Sequence, residues 1–166
     1  SAANREGLYI LQEGDLFMLD QDAVWTDIGQ FLSHLETAGR LKAGGDPEKV
    51  VAEYEKAIEL YQGDFLPEDR YEDWVSVVQG NVRGAYLKAL EDAGDICDGA
   101  GEKNRAALFF EKLFLADPCS EKACRWLMAW YLATGRRGEA LRVYERCQRA
   151  LNLELDVGPD ARTHAL

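Results

Sequence analysis

The chain has 166 residues, 47% apolar and 30% charged, with a formal net charge of −11. That length suits one domain with a substantial core, and no run approaches the roughly 18 uninterrupted apolar residues that cross a bilayer. Residues 1–83 carry 7 basic and 17 acidic side chains, and phosphate binding needs Lys and Arg, so this polypeptide alone is a poor candidate for tight DNA binding.

No basic-then-apolar segment opens the chain, so the expected compartment is the cytoplasm. The cysteines Cys97, Cys119, Cys124 and Cys147 form no C-x-x-C pair, and only His34 and His164 could add imidazole ligands. No zinc site, other metal site or cofactor site is expected from that spacing.

In chain order, Leu8–Leu11 and Leu16–Leu19 are β-prone runs around Gln12-Glu13-Gly14-Asp15, which reads as a short N-terminal β-hairpin. Two strands are marginal alone, so this hairpin must lean on the following helices or on a preceding domain. The period then turns helical. Thr26 or Asp27 can cap a helix with Ile28, Phe31, Leu32, Leu35 and Ala38 on one face, ending at Gly44-Gly45. Asp46-Pro47 restarts a helix with Val50, Val51, Tyr54, Ala57, Ile58 and Tyr61 inward. Gly63 to Pro67 breaks it, and a long helix follows from about Arg70. Its Gly80, Gly84 and Gly94 each cost up to ~1 kcal/mol relative to Ala, which points to close helix approach at those positions.

An internal repeat organises the rest. Residues 90–118 align with 124–152 at a shift of 34, so that Gly101 meets Gly135, Ala106 meets Ala140 and Phe110 meets Tyr144. That is the period of a tetratricopeptide helix–turn–helix. Glycine at the turn permits positive φ, the small Ala allows close approach, and the aromatic one turn later fills the gap. Gly45, Val50, Tyr54 and Ala57 form an earlier partial copy. The expected fold is all-α: a tetratricopeptide-like right-handed stack of about three helical hairpins, 27–42 with 47–61, 70–99 with 102–116, and 119–134 with 137–153. In this register Cys97, Cys124 and Cys147 face the core, while Cys119 looks free to meet solvent.

Two further segments carry a family resemblance. Tyr61-Gln62-Gly63-Asp64-Phe65-Leu66-Pro67 with Trp74-Val75, and Gly135-Arg136 with Glu139-Ala140-Leu141, Tyr144 and Glu154-Leu155, resemble the bacterial transcriptional activator domain. This is the helical half of the Streptomyces antibiotic regulatory protein family and related large regulators. Val24-Trp25-Thr26-Asp27 is similar to where that domain begins, and Asp156-Val157-Gly158-Pro159 to its closing turn before a short final helix. Members commonly carry Arg where Gln79 stands and Gly where Asp156 stands. The resemblance implies a division into residues 1–23, a remnant of an upstream winged-helix DNA-binding domain, and residues 24–166, the activator domain itself. It implies a non-catalytic role with protein partners: RNA polymerase, neighbouring domains of the same regulator, or a second copy. DNA would be read only through the upstream module, with no membrane and no small-molecule substrate involved. The alternative is a tetratricopeptide scaffold from another pathway.

Candidate sites are few. Gly99-Ala100-Gly101-Glu102-Lys103 lacks phosphate-loop spacing and reads as a repeat turn. Glu68, Asp69, Glu72 and Asp73 are a solvated acidic run beside a Pro-containing loop, not a shielded catalytic pair. For partner binding, Arg142, Arg146 and Arg149 form a stripe at spacings of 4 and 3, with Arg136 and Arg137 just before it. The stripe is a docking face, or a solvated face offset by Glu139 and Glu145. Trp126 and Trp130, one turn apart, are an aromatic anchor for a peptide or the packing between repeats.

Overall fold

The computed structural model describes residues 10–13, 16–19, 27–63 and 73–165. The Asp64–Pro67 end of the Tyr61 motif, the acidic residues Glu68, Asp69 and Glu72, the Thr26 cap and the 14–15 turn lie outside those residues.

Ile10–Glu13 (β1) and Leu16–Leu19 (β2) pair antiparallel, with Ile10 opposite Leu19 and Glu13 opposite Leu16. Helices make up the remainder: α1 (Asp27–Lys42), α2 (Pro47–Leu60), α3 (Asp73–Gly99), α4 (Lys103–Ala116), α5 (Glu121–Ala133), α6 (Arg137–Leu155) and the single-turn α7 (Ala161–His164). They stack as the antiparallel pairs α1/α2, α3/α4 and α5/α6, each packed on the next.

Local chemistry explains the boundaries. Asp46 accepts the Lys49 N–H at the start of α2, with Pro47 contributing the fixed φ of a first helical residue. Ser120 caps α5 through the Ala123 N–H, and Asp160 caps α7 through the Thr163 N–H at 2.7 Å. The three hairpin turns share one conformation, with Gly45, Gly101 and Gly135 at φ of 75°, 82° and 76°. In the last two, the residue after the glycine donates back to the carbonyl five residues earlier, Glu102 to Cys97 and Arg136 to Tyr131. This bond satisfies carbonyls that the helix end orphans.

A continuous core runs through all three pairs, from Ala38, Val50 and Tyr54 through Leu90, Phe110 and Leu113 to Leu127, Tyr131, Cys147 and Leu151. At its first end Phe31, Ala57 and Val82 form a smaller cluster. Tyr61, the first residue of the family-like motif, stacks on Tyr86 of α3 at 4.0 Å between ring centroids. Charged side chains tie successive helices. Lys42 meets Asp92 at 2.6 Å between α1 and α3. Arg105 of α4 reaches Glu48 and Glu55 of α2 at 2.8 and 3.1 Å, and Lys122 of α5 meets Glu91 of α3 at 2.9 Å.

Two expectations need correction. Gly80 and Gly84 are not sites of close approach: among the described residues, nothing lies within 4 Å of where a Cβ would stand, and both are exposed. Only Gly94 fits that reading. Cys119 is half-buried rather than free in solvent, while Cys97, Cys124 and Cys147 are buried as the register required.

Candidate interaction surface

The residues singled out for partner binding do not form one face. Trp126 lies between repeats, stacked on Phe110 of α4 at 4.6 Å and on Trp130 at 6.2 Å. Trp130 tilts against Tyr131 at 5.0 Å, and the Arg136 guanidinium covers the Tyr131 and Trp130 rings at 4.5 and 5.4 Å. The result is an aromatic ladder capped by a cation. Both tryptophans are half-buried, and the ladder joins two repeats through the Phe110–Trp126 contact.

The arginines divide between two faces of α6. Arg146 is exposed, donates to the Leu115 carbonyl at 3.4 Å and lies over the Phe114 ring. Arg142 is exposed and meets Glu139 at 3.7 Å, and Arg149 is exposed beyond it. Arg137 stands on the opposite face, in line with Leu141 and Tyr144 at helical spacing.

That opposite face borders a groove of about 310 Å³ between α5, α6 and α7, lined by Met128, Leu132, Arg137, Leu141, Tyr144 and His164 among others. α7, which lines one side of the groove, is clamped onto α5. Arg125 donates to the Thr163 hydroxyl at 2.8 Å, the Asp160 N–H donates to the Glu121 carboxylate at 2.8 Å, and Thr163 is fully buried. The Tyr144 hydroxyl and His164 Nδ1, both lining the groove, share an exposed hydrogen bond of 2.8 Å. Sequence reasoning named Arg137 but missed Leu132, Leu141 and His164. The available signal was the repeat itself, since Leu132 stands where the repeat shift places Asp98.

The titratable groups describe a scaffold. The Thr163 N–H bond at the start of α7 holds the Asp160 carboxyl down at about 2. Burial and a hydrogen bond to Glu111 push the Tyr131 phenol up to about 12. Burial raises Cys97, and burial with the nearby Glu154 carboxylate raises Cys119 to about 11. The hydrogen bond with Cys147, then burial, pushes Cys124 up as well. The same contact lowers Cys147, so the two thiols of this buried pair shift in opposite directions. Among the described residues, no group of three or more His, Cys, Asp or Glu side chains is arranged to hold a metal ion, and no helix is long and apolar enough to cross a membrane.

The chain is similar to known regulators. The family model described as the bacterial transcriptional activator domain matches residues 26–166. Transcriptional regulator RedD of Streptomyces coelicolor is 29% identical over 160 residues, which is 90% of this chain and 43% of that protein. Among solved structures, Mycobacterium tuberculosis EmbR, in complex with a low-affinity phosphopeptide, superposes with a TM-score of 0.69 at 18% identity, over 95% of this chain and 41% of that one. The likeness to EmbR is one of fold. The chain spans less than half the length of either relative.

Proposed function

Since this chain belongs to the bacterial transcriptional activator domain family, we propose that it is the non-catalytic, protein-interacting part of a bacterial transcription regulator, acting in the cytoplasm. It couples a DNA-binding module elsewhere in the regulator to a protein partner: RNA polymerase, an adjoining domain, or a second copy. The β1/β2 pair lies before the matched residues and is read as part of that DNA-binding module. The observation that carries this reading is the match across all three helical hairpins, joined to an architecture that presents surfaces rather than a reactive centre. The acid excess supports the same division of labour, because a net charge of −11 opposes a phosphate backbone.

The test is transplantation. Residues 26–166 fused behind an unrelated DNA-binding domain should raise transcription of a reporter carrying that domain's operator in an actinobacterial host. A fusion that occupies the operator without changing transcription would overturn the coupling role.

A further inference from the structure

Charge is handled differently at two equivalent places in the stack. Arg105 of α4 bridges to Glu48 and Glu55 of α2, so the charges that face each other across α2 and α4 cancel. One repeat later the shift of 34 puts Glu139 where Arg105 stands. Glu139 turns to Arg136 and Arg142 beside its own turn, at 3.4 and 3.7 Å. Among the described residues, no ion pair joins α4 to α6.

Cations are left in excess there. Arg142, Arg146 and Arg149 form an exposed stripe on α6, with the exposed Glu145 at its edge. Among the described residues, Arg146 and Arg149 make no ion pair. Alongside the stripe runs a groove of about 300 Å³ between α4, α5 and α6. Phe114, Leu115, Leu127 and Val143 supply its apolar walls, and Arg142 and Arg146 line it from α6. Glu111, the carboxylate that lines it, already accepts the Tyr131 hydroxyl at 2.7 Å. Leu115 is 68% exposed, and Leu108, two turns earlier on α4, is exposed as well.

We propose that this surface takes an acidic segment of a separate protein partner, an assignment that rests on the interaction role above. Carboxylates of that segment meet Arg142, Arg146 and Arg149, and a leucine-sized side chain enters the groove beside Leu115 and Val143. The apolar walls decide between the two polyanions that arginines attract. A nucleic-acid backbone brings phosphates but nothing for Leu115, and a chain of net charge −11 opposes its approach. An acidic segment with an apolar anchor uses both features. Its carboxylates match the planar guanidinium forks and set orientation, while the buried anchor keeps water from the pairs.

The probe is a fluorescein-labelled peptide with leucines at i, i+3 and i+7 among glutamates, titrated with the chain at physiological salt and read by anisotropy. Saturable binding is expected. It should weaken about tenfold when Arg142→Glu and Arg149→Glu are combined, and about fivefold for Leu115→Ser. Arg40→Glu with Lys56→Glu, the same change in net charge placed on α1 and α2, should leave it unchanged. All five positions are exposed, so circular dichroism should report unaltered folding. Absence of saturable binding overturns the proposal, as does binding that the α6 reversals and Leu115→Ser leave intact. Displacement of the peptide by sub-micromolar duplex DNA also overturns it, by making the stripe a phosphate face. So does self-association in light scattering that the α6 reversals abolish, which would assign the surface to a second copy. A reporter fusion that works equally well with Leu115→Ser and the α6 reversals would remove this surface while leaving the coupling role standing.

Discussion

The ring of Phe110 occupies the space that a side chain on Gly94 would need. A Cβ built on Gly94 meets Phe110 Cε2 at 2.9 Å and Cζ at 3.0 Å. Phe110 is fully buried and is pinned on its other side by Trp126, so the ring has nowhere to retreat. One missing methyl group therefore sets how closely α3 and α4 pack, and through Phe110 how α5 seats on them.

Gly94→Ala should destabilise the chain by about 1–3 kcal/mol through overpacking. Gly84→Ala, in the same helix with open space around it, should be neutral or stabilising by up to about 1 kcal/mol from helix propensity. Urea unfolding of the two variants measures the difference, and equal effects would contradict the packing account.

Asp92 joins three helices, accepting from Lys42 of α1 and the Tyr54 hydroxyl of α2 while pairing with Lys88 on α3. Burial alone would raise its pKa, but the hydrogen bonds from Lys42 and Lys88 outweigh that and hold it below the usual carboxylate range. Its contribution is present above the ordinary carboxylate pKa and lost as pH falls through the depressed value. Asp92→Asn should cost about 1–2 kcal/mol at neutral pH, less in high salt because Lys42 and Lys88 are partly exposed. Thermal unfolding at low and high ionic strength checks both statements.

The closing turn offers a change that stabilises. Asp156 ends α6 in the left-handed region at φ 55° and ψ 36°, where glycine has no Cβ penalty. Asp156→Gly should therefore raise stability by a few tenths to about 1 kcal/mol. A lowered melting temperature would show that the aspartate makes a compensating contact.

α7 should be docked in an acid-sensitive way. Asp160 has its pKa depressed to about 2, chiefly by the Thr163 N–H. The cap is complete above the ordinary carboxylate pKa of about 4 and is lost as pH falls through about 2. Carboxyl carbon shifts of Asp160 should titrate near 2, and Asp160→Asn should weaken protection of the Thr163 amide. An ordinary carboxylate midpoint would contradict the cap.

The parts of this fold legible in sequence are those written in local chemistry. The period of 34 located the turns because Gly101 and Gly135 share one backbone requirement, and Asp46-Pro47 announced α2 through its own capping bond. Long-range partners were not legible. Arg146 is exposed with the rest of its stripe, but its contacts with the Leu115 carbonyl and the Phe114 ring could not be read from spacing. Gly80 and Gly84 look like Gly94 on paper, because a glycine does not record whether a ring stands opposite. The groove at the end of the stack was hidden for a related reason. Leu141 lies at the right period for a core position, yet it is exposed.

The central claim is that this region acts on proteins and leaves DNA to another module. The most direct measurement is fluorescence anisotropy of labelled duplex DNA titrated with the chain at physiological salt. No saturation is expected below the tens of micromolar typical of weak non-specific contact. A sub-micromolar Kd for duplex DNA would contradict it.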